Sequence, residues 1–373
     1  MLSDLKLRGG WGVLGNQAIS YYSYQSVLDQ ANYSFGGTVV QGVAPVDGAN
    51  RDLIWETTET LNFGLDMGFL GNQYTLSIEG YRKLTYDILM KLPVSTLYGL
   101  NAPYQNAGKV KNTGLEITAG YKLNTHGWNF QVSANAAYNK NEVMDLKNGG
   151  ARIWSGKYFN QEGYAINSIG GYIAEGLFKT EEEVANSATI PGTDTAPGDI
   201  KYRDINNDGK IDGEDRVYIG NTMPKWTFGL NLFAEWKGLD ATFLFQGAAD
   251  VQGYLAGPGV VGEMIGAKGK PSYMYRDCWD AETNPNCKFP RAFSSYRQNN
   301  SIYNPSSFWI VNSSYLRLKN FQLGYTLPKE WCNMMGISRI RVYYSGQNLL
   351  TFTKFDKGFD PESPEGGSSY PQV

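Results

Sequence analysis

The sequence predicts an all-β fold, part of a transmembrane, antiparallel, up-and-down β-barrel with about nine long strands. Three observations carry that expectation. Long segments alternate between apolar and polar residues, aromatic rings mark the ends of the apolar faces, and short and long connections take turns along the chain.

Alternation is strict in four segments. In 58–69, Leu61, Phe63, Leu65, Met67 and Phe69 share one face, with Thr60, Asn62, Gly64, Asp66 and Gly68 on the other. In 115–123, Leu115, Ile117, Ala119, Tyr121 and Leu123 oppose Glu116, Thr118, Gly120 and Lys122. In 128–139, Trp128, Phe130, Val132, Ala134, Ala136 and Tyr138 oppose Asn129, Gln131, Ser133, Asn135 and Asn139. In 226–236, Trp226, Phe228, Leu230, Leu232 and Trp236 oppose Thr227, Gly229, Asn231 and Glu235. A helix would scatter such residues around its axis, whereas a strand sorts them onto two faces. Related segments lie near 5–13, 74–89, 239–247, 315–327 and 337–349. Strands of roughly ten residues exceed the usual five or six and suit a tilted bilayer crossing. Trp128, Tyr138, Trp226 and Trp236 sit where aromatic girdles would meet the two interfaces.

Short turns fall at Gly71-Asn72-Gln73, Asn124-Thr125-His126-Gly127 and Lys237-Gly238, with a longer one at about 328–336. Long connections occupy 14–52, 90–110, 143–223, 250–311 and 350–373. That is the order of short periplasmic turns and long extracellular loops. One strand departs from the pattern. In 315–327, Leu316 and Leu318 share parity with Asn320, Gln322 and Gly324, while Arg317 and Lys319 share it with Phe321, Leu323 and Tyr325. A bulge near 318–320 would restore the alternation; otherwise Arg317 and Lys319 lie above the apolar band.

Composition narrows the alternatives. Aromatics reach 14% and charged residues only 18%, with a mean hydropathy of −0.39. No apolar run approaches the ~18 residues of a spanning helix. A net charge of −3 without a long basic run argues against nucleic acid as a partner. The single His126 lies in a turn, there is no Cys/His pair or phosphate-cradling glycine loop, and Glu181-Glu182-Glu183 reads as a solvated run. No enzyme is expected. Met1 is followed by Leu-Ser-Asp-Leu-Lys-Leu, which lacks the charged and apolar regions of an export signal. Residues 1–373 are therefore expected to be a fragment of an exported protein, one barrel portion without its signal peptide.

Three groups of residues could form sites. Asp204, Asn206, Asp208, Lys210 (by its carbonyl), Asp212 and Asp215, with Gly209 at the sixth position, follow the spacing of a calcium loop of the EF-hand type. The alternative is an Asx-rich surface loop without metal. Loop aromatics, among them Tyr21, Tyr22, Tyr24, Tyr254, Tyr273, Tyr275, Trp279, Phe308 and Trp309, could stack on a ligand or anchor a partner, although packing of the loops on one another is the first expectation. Cys278 and Cys287 flank a polar segment and could pair as a disulfide or stay as thiols.

Several strings resemble the SusC/RagA family of TonB-dependent outer-membrane transporters. Ser314-Tyr315-Leu316-Arg317-Leu318-Lys319-Asn320-Phe321-Gln322-Leu323-Gly324-Tyr325-Thr326-Leu327-Pro328 is similar to that family's penultimate hairpin. Ser345-Gly346-Gln347-Asn348-Leu349-Leu350-Thr351-Phe352-Thr353 and Gly358-Phe359-Asp360-Pro361-Glu362 resemble its last up-strand and final loop. Leu7-Arg8-Gly9-Gly10-Trp11-Gly12-Val13-Leu14-Gly15-Asn16-Gln17, Asn112-Thr113-Gly114-Leu115-Glu116-Ile117 and Asp204-Ile205-Asn206-Asn207-Asp208-Gly209-Lys210-Ile211-Asp212 extend the resemblance over essentially the whole chain. It implies a plugged barrel of about 22 strands, of which 1–373 would be the C-terminal portion without plug domain and final strand. It also implies TonB-driven uptake of a glycan or peptide, a SusD-like lipoprotein on the outer face, and a Gram-negative, Bacteroidetes-like outer membrane. A passive porin or surface-binding barrel is the alternative, and a soluble, calcium-stabilised carbohydrate-binding β-protein the second.

Overall fold

The computed structural model describes residues 1–255, 277–291, 304–355 and 359–363. Nine long strands form one antiparallel sheet in chain order: β1 (Leu2–Asn16), β2 (Glu56–Phe69), β3 (Tyr74–Tyr86), β4 (Lys109–Thr125), β5 (Trp128–Asp145), β6 (Trp226–Trp236), β7 (Leu239–Ala249), β8 (Tyr315–Thr326) and β9 (Arg341–Thr353). This is a partial β-barrel of the predicted topology. Each expected strand exists, and several run further toward the long loops. The last one is displaced, starting at Arg341 instead of 337. A helical turn, Lys329–Met334, occupies the preceding connection and buries Cys332 beneath it.

Register turns the alternation of single strands into two continuous faces. Phe69, Tyr74, Tyr121, Val132, Leu232, Phe243 and Phe321 align as one apolar row across seven strands. The neighbouring row runs through Gly68, Thr75, Gly120, Ser133, Asn231, Leu244 and Asn320, small or polar but for one leucine. A one-residue slip anywhere would exchange the two faces, so this pairing is strongly specified. Two of the short connections are two-residue turns with both φ positive: His126 (46°)–Gly127 (79°) and Lys237 (49°)–Gly238 (86°). Such turns match the right-handed twist of the strands they join.

The long connections fold instead of trailing. The first carries a hairpin, Leu28–Phe35 with Thr38–Pro45. The third and fourth together build a cap. It contains a four-stranded sheet (Ile153–Ser155, Tyr158–Asn160, Ser168–Gly171, Val217–Gly220) and two strand pairs, Ala174–Leu177 with Ile200–Tyr202 and Gln252–Tyr254 with Ile310–Asn312. Ile169, Tyr172, Ile200, Tyr202 and Ile211 from the third connection pack with Tyr254 and Trp309 from the fourth as one buried core. The wall is built differently. Its apolar face stays uncovered, with Phe63 64% exposed, which suits lipid and not water.

Candidate functional site

The outward face has defined limits. At the short-turn end, Trp128 and Trp236 stack with ring centroids 5.4 Å apart, and Tyr74 and Tyr121 lie 4.7 Å apart. At the loop end, Tyr138 and Trp226 meet at 4.9 Å. One outward position past Tyr138 the surface turns charged, where Lys111 and Lys140 both pair with Glu142. From Trp226 to Trp236 the strand rises ~33 Å, which at the ~40° tilt of barrel strands spans ~25 Å of membrane. The sequence-predicted girdles are therefore present and correctly spaced.

The opposite face, toward the lumen, carries a hydrogen-bonded polar lattice. Arg8 pairs with Asp66 at 2.7 Å and Glu79 at 2.8 Å, and Ser77 donates to Asp66 at 2.6 Å. Asn62 donates to Glu79, Tyr81 to Asn139 and Asn141 to Asn112. Arg341 of β9 reaches across β8 to Asp240 of β7 at 3.0 Å. Sequence reasoning did not single out these ion pairs. Their signal was present as charged residues on the polar parity of alternating strands, but pairing needed the register.

The irregular strand is resolved by a bulge. β8 pairs Asn320 with Leu244 and then Leu318 with Phe245, so Lys319 is the extra residue. Leu316 and Leu318 thereby face outward, while Arg317 lies between Gln246 and Thr351 on the lumen face.

The predicted loop aromatics are mostly structural. Tyr254 and Trp309 are buried in the cap core, and Phe308 packs against it. Burial also pushes the Tyr254 hydroxyl above its ordinary range. Trp279 lies over Gly198, whose φ of +88° and lack of a side chain admit the indole; a Cβ there would sit 2.3 Å from Trp279 Cε3. Beside it, Arg291 donates to the buried Asp199 at 2.7 Å and ties the fourth connection to the third. Tyr273 and Tyr275 lie outside the described residues. By contrast, Tyr21, Tyr22 and Tyr24 are exposed and, with Trp55 and Arg51, line an open cavity of about 510 Å³ between the arms of the first connection.

The 204–215 loop coils tightly, but around its own backbone. Asp204 accepts from the N–H groups of Asn207 and Gly209, Asn206 from Asp208, Asp208 from Lys210, and Asp212 from Glu214. Asp215, fully buried, accepts from Ile205 and Asp212. The Lys210 segment pairs with Thr189, and Ile211 enters the cap core. Among the described residues, no three acidic, histidine or cysteine side chains converge where an ion could sit. In this structure these Asx turns hold the loop onto its own amides. Cys278 and Cys287 stand as thiols in this structure, and Cys287 donates to the Phe289 carbonyl at 3.0 Å. Burial, with Cys287 close by, pushes the Cys278 thiol up to about 11.

A wall of this patterning, capped at one end, has close relatives. The family described as TonB dependent receptor-like, beta-barrel matches residues 2–349. The chain belongs to the TonB-dependent receptor β-barrel family. It is 31% identical to TonB-dependent receptor P3 of Formosa agariphila over 97% of this chain and 36% of that protein. It is 29% identical to TonB-dependent receptor SusC of Bacteroides thetaiotaomicron over 100% of this chain and 37% of that protein. The RagAB peptide transporter superposes with a TM-score of 0.78 at 28% identity, over 99% of this chain and 40% of that one. The chain therefore spans well under half the length of the receptors it matches, and within them it corresponds to a SusC-like barrel portion.

Proposed function

We propose that this chain forms part of the wall and outer cap of an outer-membrane transporter that takes up a large nutrient, a glycan or a peptide. Energy would come through TonB, and a SusD-like lipoprotein would sit on the outer face, as the SusC/RagA resemblance implies. The observation that supports this reading best is the pairing of faces. One sheet presents an apolar band between two aromatic rows outward and a hydrogen-bonded polar lattice inward, with a folded cap at the loop end only.

The test is uptake by cells that express the full-length receptor, set against cells lacking it. Labelled oligosaccharides and peptides are offered with and without a protonophore, and the receptor is purified to look for a bound lipoprotein. Receptor-dependent uptake that stops with the protonophore supports the reading. Uptake that continues identifies a passive porin, and binding without uptake identifies a surface-binding barrel. The uncovered apolar band speaks against the soluble alternative.

A further inference from the structure

We propose that Phe359-Asp360-Pro361-Glu362 is a strap that fastens the outer cap to the lumen face of the wall, with Arg317 as its positioning residue. Two strings that stand far apart in the sequence meet here. Arg317 is aimed at the lumen by the bulge at Lys319, and it is 3% exposed. Its Nη2 donates to Asp360 Oδ1 at 2.6 Å, its Nη1 lies 2.9 Å from Glu362 Oε1, and its Nε donates to Thr351 Oγ1 at 2.9 Å. Lys319 Nζ reaches Glu362 at 2.7 Å, so the bulged residue is itself part of the contact.

The strap is closed by neutral bonds as well. Ser313 Oγ donates to the Pro361 carbonyl at 2.7 Å, and the Glu362 N–H donates to Asp360 Oδ1 at 3.0 Å. One residue before Asp360, Phe359 packs against the cap core of Ile169, Tyr202 and Trp309. Adjacent residues thus hold the cap on one side and the wall on the other. A guanidinium withdrawn from water needs such partners, because a buried charge left alone is costly. Without the bulge, Arg317 would face the apolar band and the strap would have no anchor. The strap leans on the wall and cap as described; its bearing on uptake rests on the transport reading above.

Hydrogen exchange on the full-length receptor in lipid nanodiscs tests the proposal. The variants are Arg317→Met, which keeps the aliphatic stem, Asp360→Asn, and the swapped pair Arg317→Asp with Asp360→Arg. Either single change is expected to speed exchange of the strap amides by about tenfold or more and to loosen the 199–216 region of the cap, while β5–β7 stay protected. The swapped pair is expected to regain part of that protection. If Arg317→Met fails to insert, Asp360→Asn, which lies outside the wall, decides the matter alone. Unchanged strap exchange in Asp360→Asn, or loss of protection spread equally through β5–β7, overturns the strap. Loosened exchange with unaltered uptake keeps the strap and removes its role in transport. Absence of uptake by the unmodified receptor defeats the transport reading and leaves the strap standing.

Discussion

Arg317 of β8 and Asp360 of the segment beyond β9 form a 2.6 Å ion pair on the lumen face, both almost wholly buried. Burial by itself would raise the Asp360 carboxyl, but the Arg317 hydrogen bond, the Glu362 N–H and the charges of Arg317 and Lys319 outweigh it and hold the group below its ordinary value. Besides these, Glu362 and Tyr315 face the pair. A carboxyl with a lowered folded pKa stabilises above its unfolded value of 3.8 and loses that contribution as pH falls through the folded value. Strap protection measured by hydrogen exchange is therefore expected to hold from neutral pH down to about 4 and to fade below it. In Asp360→Asn the strap should exchange fast at every pH.

Face assignment is tested by neighbouring residues of β6. Leu230 lies outward between Ala134 and Phe245, and Asn231 lies toward the lumen between Ser133 and Leu244. Leu230→Arg is expected to destabilise insertion by ~2–4 kcal/mol, the cost of a cation near the bilayer midplane. Asn231→Arg should change it by less than about 1 kcal/mol. Urea titration of the full-length receptor in phospholipid vesicles measures both.

Gly198 and Gly209 separate steric from backbone cost. Both have positive φ, but a Cβ at Gly198 collides with Trp279, whereas one at Gly209 meets nothing within 4 Å. Gly209→Ala is expected to cost the cap about 1 kcal/mol. Gly198→Ala should cost roughly 2–4 kcal/mol, since the indole must move as well. Limited proteolysis of the 146–225 region in the native receptor distinguishes the two.

Asp215 is fully buried and caps two backbone N–H groups. Asp215→Ala leaves both donors without their acceptor and is expected to destabilise the 204–216 turn by about 2–5 kcal/mol. Protease cleavage within that turn, with β-sheet circular dichroism unchanged, is the expected result.

The wall was legible in the sequence because lipid on one side and a polar lumen on the other enforce a strict period of two. Val132, Leu232 and Phe243 keep that period without exception. The cap was not legible. Its strands, such as Ile153–Ser155 and Ile200–Tyr202, are too short to show a period and are held by contacts between distant loops. Packing of the loop aromatics on one another was the first expectation for Tyr254 and Trp309, but which loops they join needed the structure. The start of β9 was misplaced because Ile340 extends the alternation of Val342 and Tyr344 backward, while the Lys329–Met334 turn consumes the connection before it. Residues 204–215 were legible as a tight Asx-rich loop, because Asp and Asn at alternate positions with Gly209 favour side-chain bonds to nearby amides.

The distance between the Trp128–Trp236 pair and the Tyr138–Trp226 pair also selects the membrane this sheet can inhabit. A belt of ~25 Å is shorter than the ~30 Å hydrocarbon thickness of an average bilayer. Around it, thicker lipid would have to compress, at a fraction of a kcal/mol for each ångström of mismatch. Summed along a wide wall, that deformation favours a thin bilayer over a thick one.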